Sequence, residues 1–142
     1  MVHFPIAFLF GATLLYFVAA FIDNQSLTWA ALWMLLLGAI GAAVSSATGL
    51  YANEGVMVAP SVRDALLNHH EQLMIGVTAL TVILTVWALA ARPMPRRARW
   101  AFLAALAAIC LLIARGADYG GRMVYDYNAG GDACGQPIDF SK

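Results

Sequence analysis

Four long apolar runs, separated by short polar ones, set the frame of this chain. Phe4 to Ile22 and Leu27 to Leu50 contain no charged residue, and Asp64 to Ala91 carries its two carboxylates, Asp64 and Glu71, near its start. The fourth run, Arg99 to Ala117, holds charge only at Arg99 and Arg115. Each approaches or exceeds the roughly 20 residues that a helix needs to cross a bilayer, so the pattern predicts four transmembrane helices. The tetrapeptide "DNQS" is too short to join the first two as anything but antiparallel neighbours. "RPMPRR" ends the third, because proline lacks the amide hydrogen a helix needs and its ring clashes with the preceding turn. The longer loop "YANEGVMVAPSVRD" separates the second and third, with Ser61 as the expected cap and Asp64 at the third helical position.

Composition agrees with this reading. Apolar residues make up 62% of 142 positions and charged ones 11%, against roughly 25% charged in soluble domains. Mean hydropathy is +0.75. Eight basic and eight acidic side chains cancel, which leaves no basic surface for nucleic acid. Two cysteines, Cys110 and Cys134, are too few for a disulfide framework, and no C-x-x-C-H attaches a haem covalently. The first run has no Lys or Arg ahead of it, so it is expected to be a retained span rather than a secretion signal.

The arginines orient the bundle. Arg92, Arg96, Arg97 and Arg99 crowd the loop between the third and fourth helices, which makes that loop cytoplasmic by the positive-inside rule and puts both termini outside. Trp29, Trp33, Trp87 and Trp100 fall toward the same side, and Tyr51, Tyr119, Tyr125 and Tyr127 toward the other, as interfacial aromatics do. The expected fold is therefore an all-α integral membrane four-helix bundle over residues 1–127, followed by a periplasmic extension over 128–142. The expected location is a bacterial inner membrane.

All three histidines, His3, His69 and His70, fall near the outer face. His3 precedes Pro5 at the mouth of the first helix, and His70 lies six residues into the third from Asp64. The two reach similar depth if those helices are neighbours. Adjacent residues diverge by about 100° around a helix, and His70 shares its face with Met74, Thr78, Thr81 and Thr85. A polar stripe in lipid faces protein, which favours His70 as the inward histidine. His69 shares its face with Leu73, Gly76 and Leu80 and stays open as an alternative. Neutral imidazoles on two helices can fill both axial positions of a b-type haem. Arg115, which returns to the outer side, can pair with a propionate, or instead with Asp118. Gly41, Ser45 and Gly49 recur every four residues, a pattern that ordinarily packs helices but can admit a flat ligand at Gly41, Ser45 or Gly76.

In order along the chain, "VHFPIAFLFGATLLYFVA", "ALWMLLLGAIGAAVSSATGLY", the third-helix histidines and "GADYGGRMVY" resemble a bacterial membrane family known as domain of unknown function 2231. The resemblance covers about residues 2 to 127. It implies four transmembrane helices with one histidine at the start of the first, here His3, and one in the third, here His69 or His70. It also implies proximity to c-type cytochrome modules, and so electron transfer as a context. Relatives commonly end in Gly-Gly-x-Leu-Val-Tyr-x-His-Gly, where this chain has "GGRMVYDYNAGG" with Tyr127 in place of the histidine. The tail "DACGQPIDFSK" runs past the usual end and brings Cys134, a candidate for an intermolecular disulfide.

The leading expectation is a membrane electron-transfer subunit that holds haem b near the periplasmic face with His3 and His70 as iron ligands. It would relay electrons between a cytochrome c-like partner and another redox subunit or quinone. The alternative is a cofactor-free accessory subunit that anchors a larger membrane complex. Neither performs bond chemistry on a substrate by itself. A transporter ranks lower, since the helix centres offer only Thr, Ser and Cys110.

Overall fold

The computed structural model describes residues 3–53, 60–127 and 129. Four helices long and apolar enough to cross a membrane make up nearly all of it: α1 (His3–Ile22), α2 (Gln25–Asn53), α3 (Pro60–Ala91) and α4 (Arg99–Tyr125). At 1.5 Å per residue, α1 just spans the roughly 30 Å hydrocarbon layer, and the other three are longer than it requires. Among the described residues there is no strand.

The helices run in a ring. α1 packs on α2, α2 on α3, α3 on α4 and α4 back on α1, with little or no contact across the diagonals. One end of the bundle carries the α1–α2 turn and the α3–α4 loop and is called here the arginine end. The other holds His3, His69 and His70 and is called the histidine end. The premise that α1 and α3 are neighbours is corrected by this order: they are diagonal.

The α1–α2 turn is tighter than "DNQS" suggested, since Gln25 and Ser26 are already helical. Asp23 takes a positive φ of 49°, and the Asn24 side chain accepts from the Leu27 amide at 3.0 Å, satisfying one of the orphan donors of the α2 start. Small residues then let the two backbones close up. Gly38 lies under Leu9 and Gly41 under Phe4 and Pro5. A Cβ on Gly38 would sit 2.7 Å from Leu9 Cδ2 and 3.4 Å from the Leu9 backbone nitrogen. Gly38→Ala is therefore expected to cost about 1–3 kcal/mol by overpacking, read as a lower midpoint of unfolding in mixed micelles. Gly11→Ala should cost less, because its new Cβ meets only the tip of the flexible Met34 side chain.

The core is a column of apolar side chains that includes Leu9, Ala12, Leu35, Val77, Leu106 and Ile109. At the arginine end it closes on Tyr16, which is fully buried. Its ring meets Phe102 edge-on at 5.1 Å, and its hydroxyl donates to the Pro93 carbonyl at 3.0 Å. The remaining interior polar groups are satisfied, as a lipid environment demands. Thr81 and Thr85 donate to the carbonyls four residues back, Ser46 bonds Thr78 at 2.7 Å, and Cys110 reaches Thr13 at 3.4 Å. No buried side-chain nitrogen or oxygen among the described residues lacks a partner. Large apolar side chains cover the outside instead, among them Phe21 (73% exposed), Leu111 (72%) and Leu14 (64%). In water such a surface would aggregate; in lipid it is the solvated face.

Two helix boundaries differ from expectation. Ser61 is not a cap: the chain is already helical at Pro60, and Arg63–Leu67 form a π-helical turn in which the Asn68 amide donates to the Arg63 carbonyl. At the other end, α4 continues past Ala117 through Gly120 and Gly121 to Tyr125. It is held there by a second small core, in which Val62, Leu66 and Leu67 of α3 pack on Met123 with Tyr119 and Tyr127 alongside. Cys134 and the tail beyond 129 lie outside the described residues.

Candidate histidine site

The π turn delivers His69 and His70 to different surroundings. His70 is half-buried and points across to α4, where its Nδ1 lies 2.8 Å from the Gly116 carbonyl. A carbonyl oxygen only accepts, so Nδ1 carries the proton, and Nε2 of the neutral ring keeps its lone pair. His69 is exposed and repeats the arrangement locally, with Nδ1 3.1 Å from the Asp64 carbonyl and its ring 6.2 Å from that of Tyr119. Among the described residues neither Nε2 forms a hydrogen bond. Two adjacent imidazoles thus present the same nitrogen as an acceptor or a ligand.

The groove that receives His70 is made by glycine. A Cβ on Gly116 would collide with Met74 and lie 3.0 Å from Leu73 Cδ2, and one on Gly120 would touch His70 Cε1 at 3.4 Å. His70 and Met74, one helical turn apart, therefore seat on a Gly-x-x-x-Gly surface of α4. The helical faces read from the sequence assign the imidazole no place on Gly116 and Gly120. The polar stripe below His70 faces the interior, with Thr81 fully buried and Thr85 4% exposed.

The other candidate residues scatter. His3 is exposed at the start of α1, on the helix diagonal to α3. The space beside Gly41 is filled by Pro5 and Phe4, whereas Gly76 is exposed with nothing within 4 Å of where its Cβ would be, so neither borders the imidazole. Ser45 is half-buried, and its carbonyl accepts from Thr48 at 3.0 Å. Arg115 does not pair with Asp118; its guanidinium lies 5.6 Å above the Tyr119 ring, one turn along α4. His69, Tyr119 and Arg115 form a stacked row on the outside of the α3–α4 seam. Among the described residues no three of His, Cys, Asp and Glu converge. A closed four-ligand metal centre has no such donor set there, whereas an axial pair needs only two imidazoles.

A family model described as a predicted membrane protein (DUF2231) matches residues 1–133. No curated protein and no solved structure matches the chain.

Proposed function

The chain belongs to the DUF2231 family of predicted membrane proteins, and from that premise we propose that it is an electron-transfer subunit that carries a b-type haem at its histidine end. The observation behind this reading is the Nδ1 tether of His70 to the Gly116 carbonyl. Metal-ligating histidines almost always give their other ring N–H to a carbonyl, carboxylate or water, which sets the tautomer and fixes the ring. His70 meets that requirement before any metal arrives, from a half-buried position beside Gly120.

In this reading His70 would hold the iron, together with His3 at the same end of the bundle. His69 is the alternative to His70, and Arg115 is the cation available to a propionate. Gly120 makes room for the imidazole itself, which Gly41 and Gly76 do not border. The group would supply a one-electron iron couple. The chain's own residues orient the imidazole, hold its proton on Nδ1 and exclude lipid from it. The electron partners are a cytochrome c-like protein and a second membrane redox subunit or quinone, with the histidine end periplasmic and the arginine end cytoplasmic in a bacterial inner membrane.

The filled small-residue faces favour a second reading. Gly41 is covered by Pro5 and Phe4, and Gly116 by Met74, which is what a cofactor-free anchoring subunit would use its glycines for. An oxidised-minus-reduced visible spectrum of the purified, membrane-extracted protein separates the two. Haem bands at about one per chain are the expected result. A flat spectrum from folded protein ends the haem proposal and leaves the anchoring role.

A further inference from the structure

The arginine end holds a cavity that none of the preceding chemistry uses. It has a volume of about 450 Å³, within the roughly 300–1,000 Å³ of small-molecule sites. It opens between the α1–α2 turn and the α3–α4 loop, and its polar lining includes Arg96, Arg99, Asp23, Asn24 and Thr28. Arg99 is half-buried and held in place, with its guanidinium 3.4 Å from the Ala20 carbonyl and 5.1 Å above the Trp100 ring. Arg96 is exposed at the rim. Among the described residues no carboxylate lies within ion-pair distance of Arg96 or Arg99, even though Asp23 lines the same cavity.

The cavity also sits at a definite depth. Trp29 and Trp100, 40% and 57% exposed, belong to the same end of the bundle, and Phe21 packs on Trp100 at 5.9 Å. Exposed tryptophans mark the headgroup layer. Two unpaired guanidiniums, one of them pre-oriented, therefore face a cavity at the level of lipid phosphates. Guanidinium is the side chain best matched to such an oxyanion, because its planar fork can give two parallel N–H donors.

We propose that this cavity binds the phosphate of an anionic phospholipid headgroup, with Arg99 as the fixed donor, Arg96 as the rim donor, and Asn24 and Thr28 on the opposite wall. This site lies at the other end of the bundle from the histidines and does not depend on the haem reading. Its signature is that two of the four arginines at this end matter far more than the others. Arg92 and Arg97 carry the same charge at the same end but do not line the cavity.

The test is native mass spectrometry of the full chain, released from nanodiscs that contain equal amounts of dioleoyl-phosphatidylglycerol and dioleoyl-phosphatidylcholine. The wild type is expected to retain one phosphatidylglycerol per chain in preference to phosphatidylcholine. Loss of one arginine near a charged headgroup weakens attraction roughly fivefold, so Arg96→Gln with Arg99→Gln should cut retention by tenfold or more. Arg92→Gln with Arg97→Gln should change it less than twofold. Arg96→Gln alone, at an exposed position, gives the same reading if the double variant fails to fold. Equal loss in both pairs would overturn the site in favour of diffuse charge, as would equal retention of phosphatidylcholine. Displacement of the lipid by millimolar inorganic phosphate would overturn its assignment as a lipid site.

Discussion

Tyr16→Ala is expected to destabilise the bundle by about 3.5–4.5 kcal/mol. In water, removing a buried aromatic costs a transfer term as well as a cavity term. In a bilayer the transfer term shrinks, because the unfolded helix still lies among lipid chains that are as apolar as the core. The cavity term stays: roughly 100 Å³ of lost side chain at about 24 cal/mol per Å³ gives about 2–2.5 kcal/mol. The edge-on contact with Phe102 adds about 0.5–1 kcal/mol. The hydroxyl bond to the Pro93 carbonyl adds about 1 kcal/mol. Tyr16→Phe isolates that last contribution and should cost about 1 kcal/mol, with the ring left in place. Unfolding of wild type and both variants in mixed dodecyl-sulfate micelles measures the differences. A Tyr16→Phe loss as large as that of Tyr16→Ala would mean that the hydroxyl bond, rather than the packed ring, holds the α3–α4 loop against α1.

That loop shows how far sequence reading reaches in this protein. Runs of 19 to 28 residues with charge only near their ends left no alternative to four membrane helices, and the two prolines and the "DNQS" turn paired α1 with α2 and α3 with α4. The lateral order of the pairs was not legible. A connection as long as the one between α2 and α3 can lead to either side of the first hairpin, and only packing puts α1 beside α4. The fourth apolar run reaches only to Ala117, short of Gly120 and Gly121, and glycine is a poor helix former. In the structure Gly120 is the seat of the His70 ring, and Met123 just beyond is buried against α3, so tertiary contact outweighs propensity. The π turn at Arg63–Leu67 is a change of hydrogen-bond partner with no residue signature of its own. For Arg115, a carboxylate three residues on and an aromatic ring four residues on were both within reach, and the ring prevailed.

The helical period separated His70 from His69 by face, but the hydrogen bond that gives the distinction chemical meaning needed coordinates, and it leads to the second large effect. Under the proposed haem reading, His70→Ala is expected to abolish the haem bands, whereas His69→Ala leaves them largely intact, because only His70 is anchored in a groove of α4. Ligand loss alone does not distinguish a ligand from a residue that merely packs, so the groove is tested as well. Gly120→Ala brings a Cβ to 3.4 Å from His70 Cε1, an ordinary contact, and should retain haem. Gly120→Leu adds atoms where the ring lies, turning the imidazole away without removing it. A lost orienting contact around a metal-ligating histidine costs about 10–100-fold in affinity, so haem occupancy should fall by that factor while helix content by circular dichroism stays constant. His3→Ala should remove the other residue that would hold the iron, and haem occupancy should fall with it. If His69→Ala is the variant that loses the bands, the exposed histidine is the ligand, and the groove at Gly116 and Gly120 serves only to pack α3 against α4.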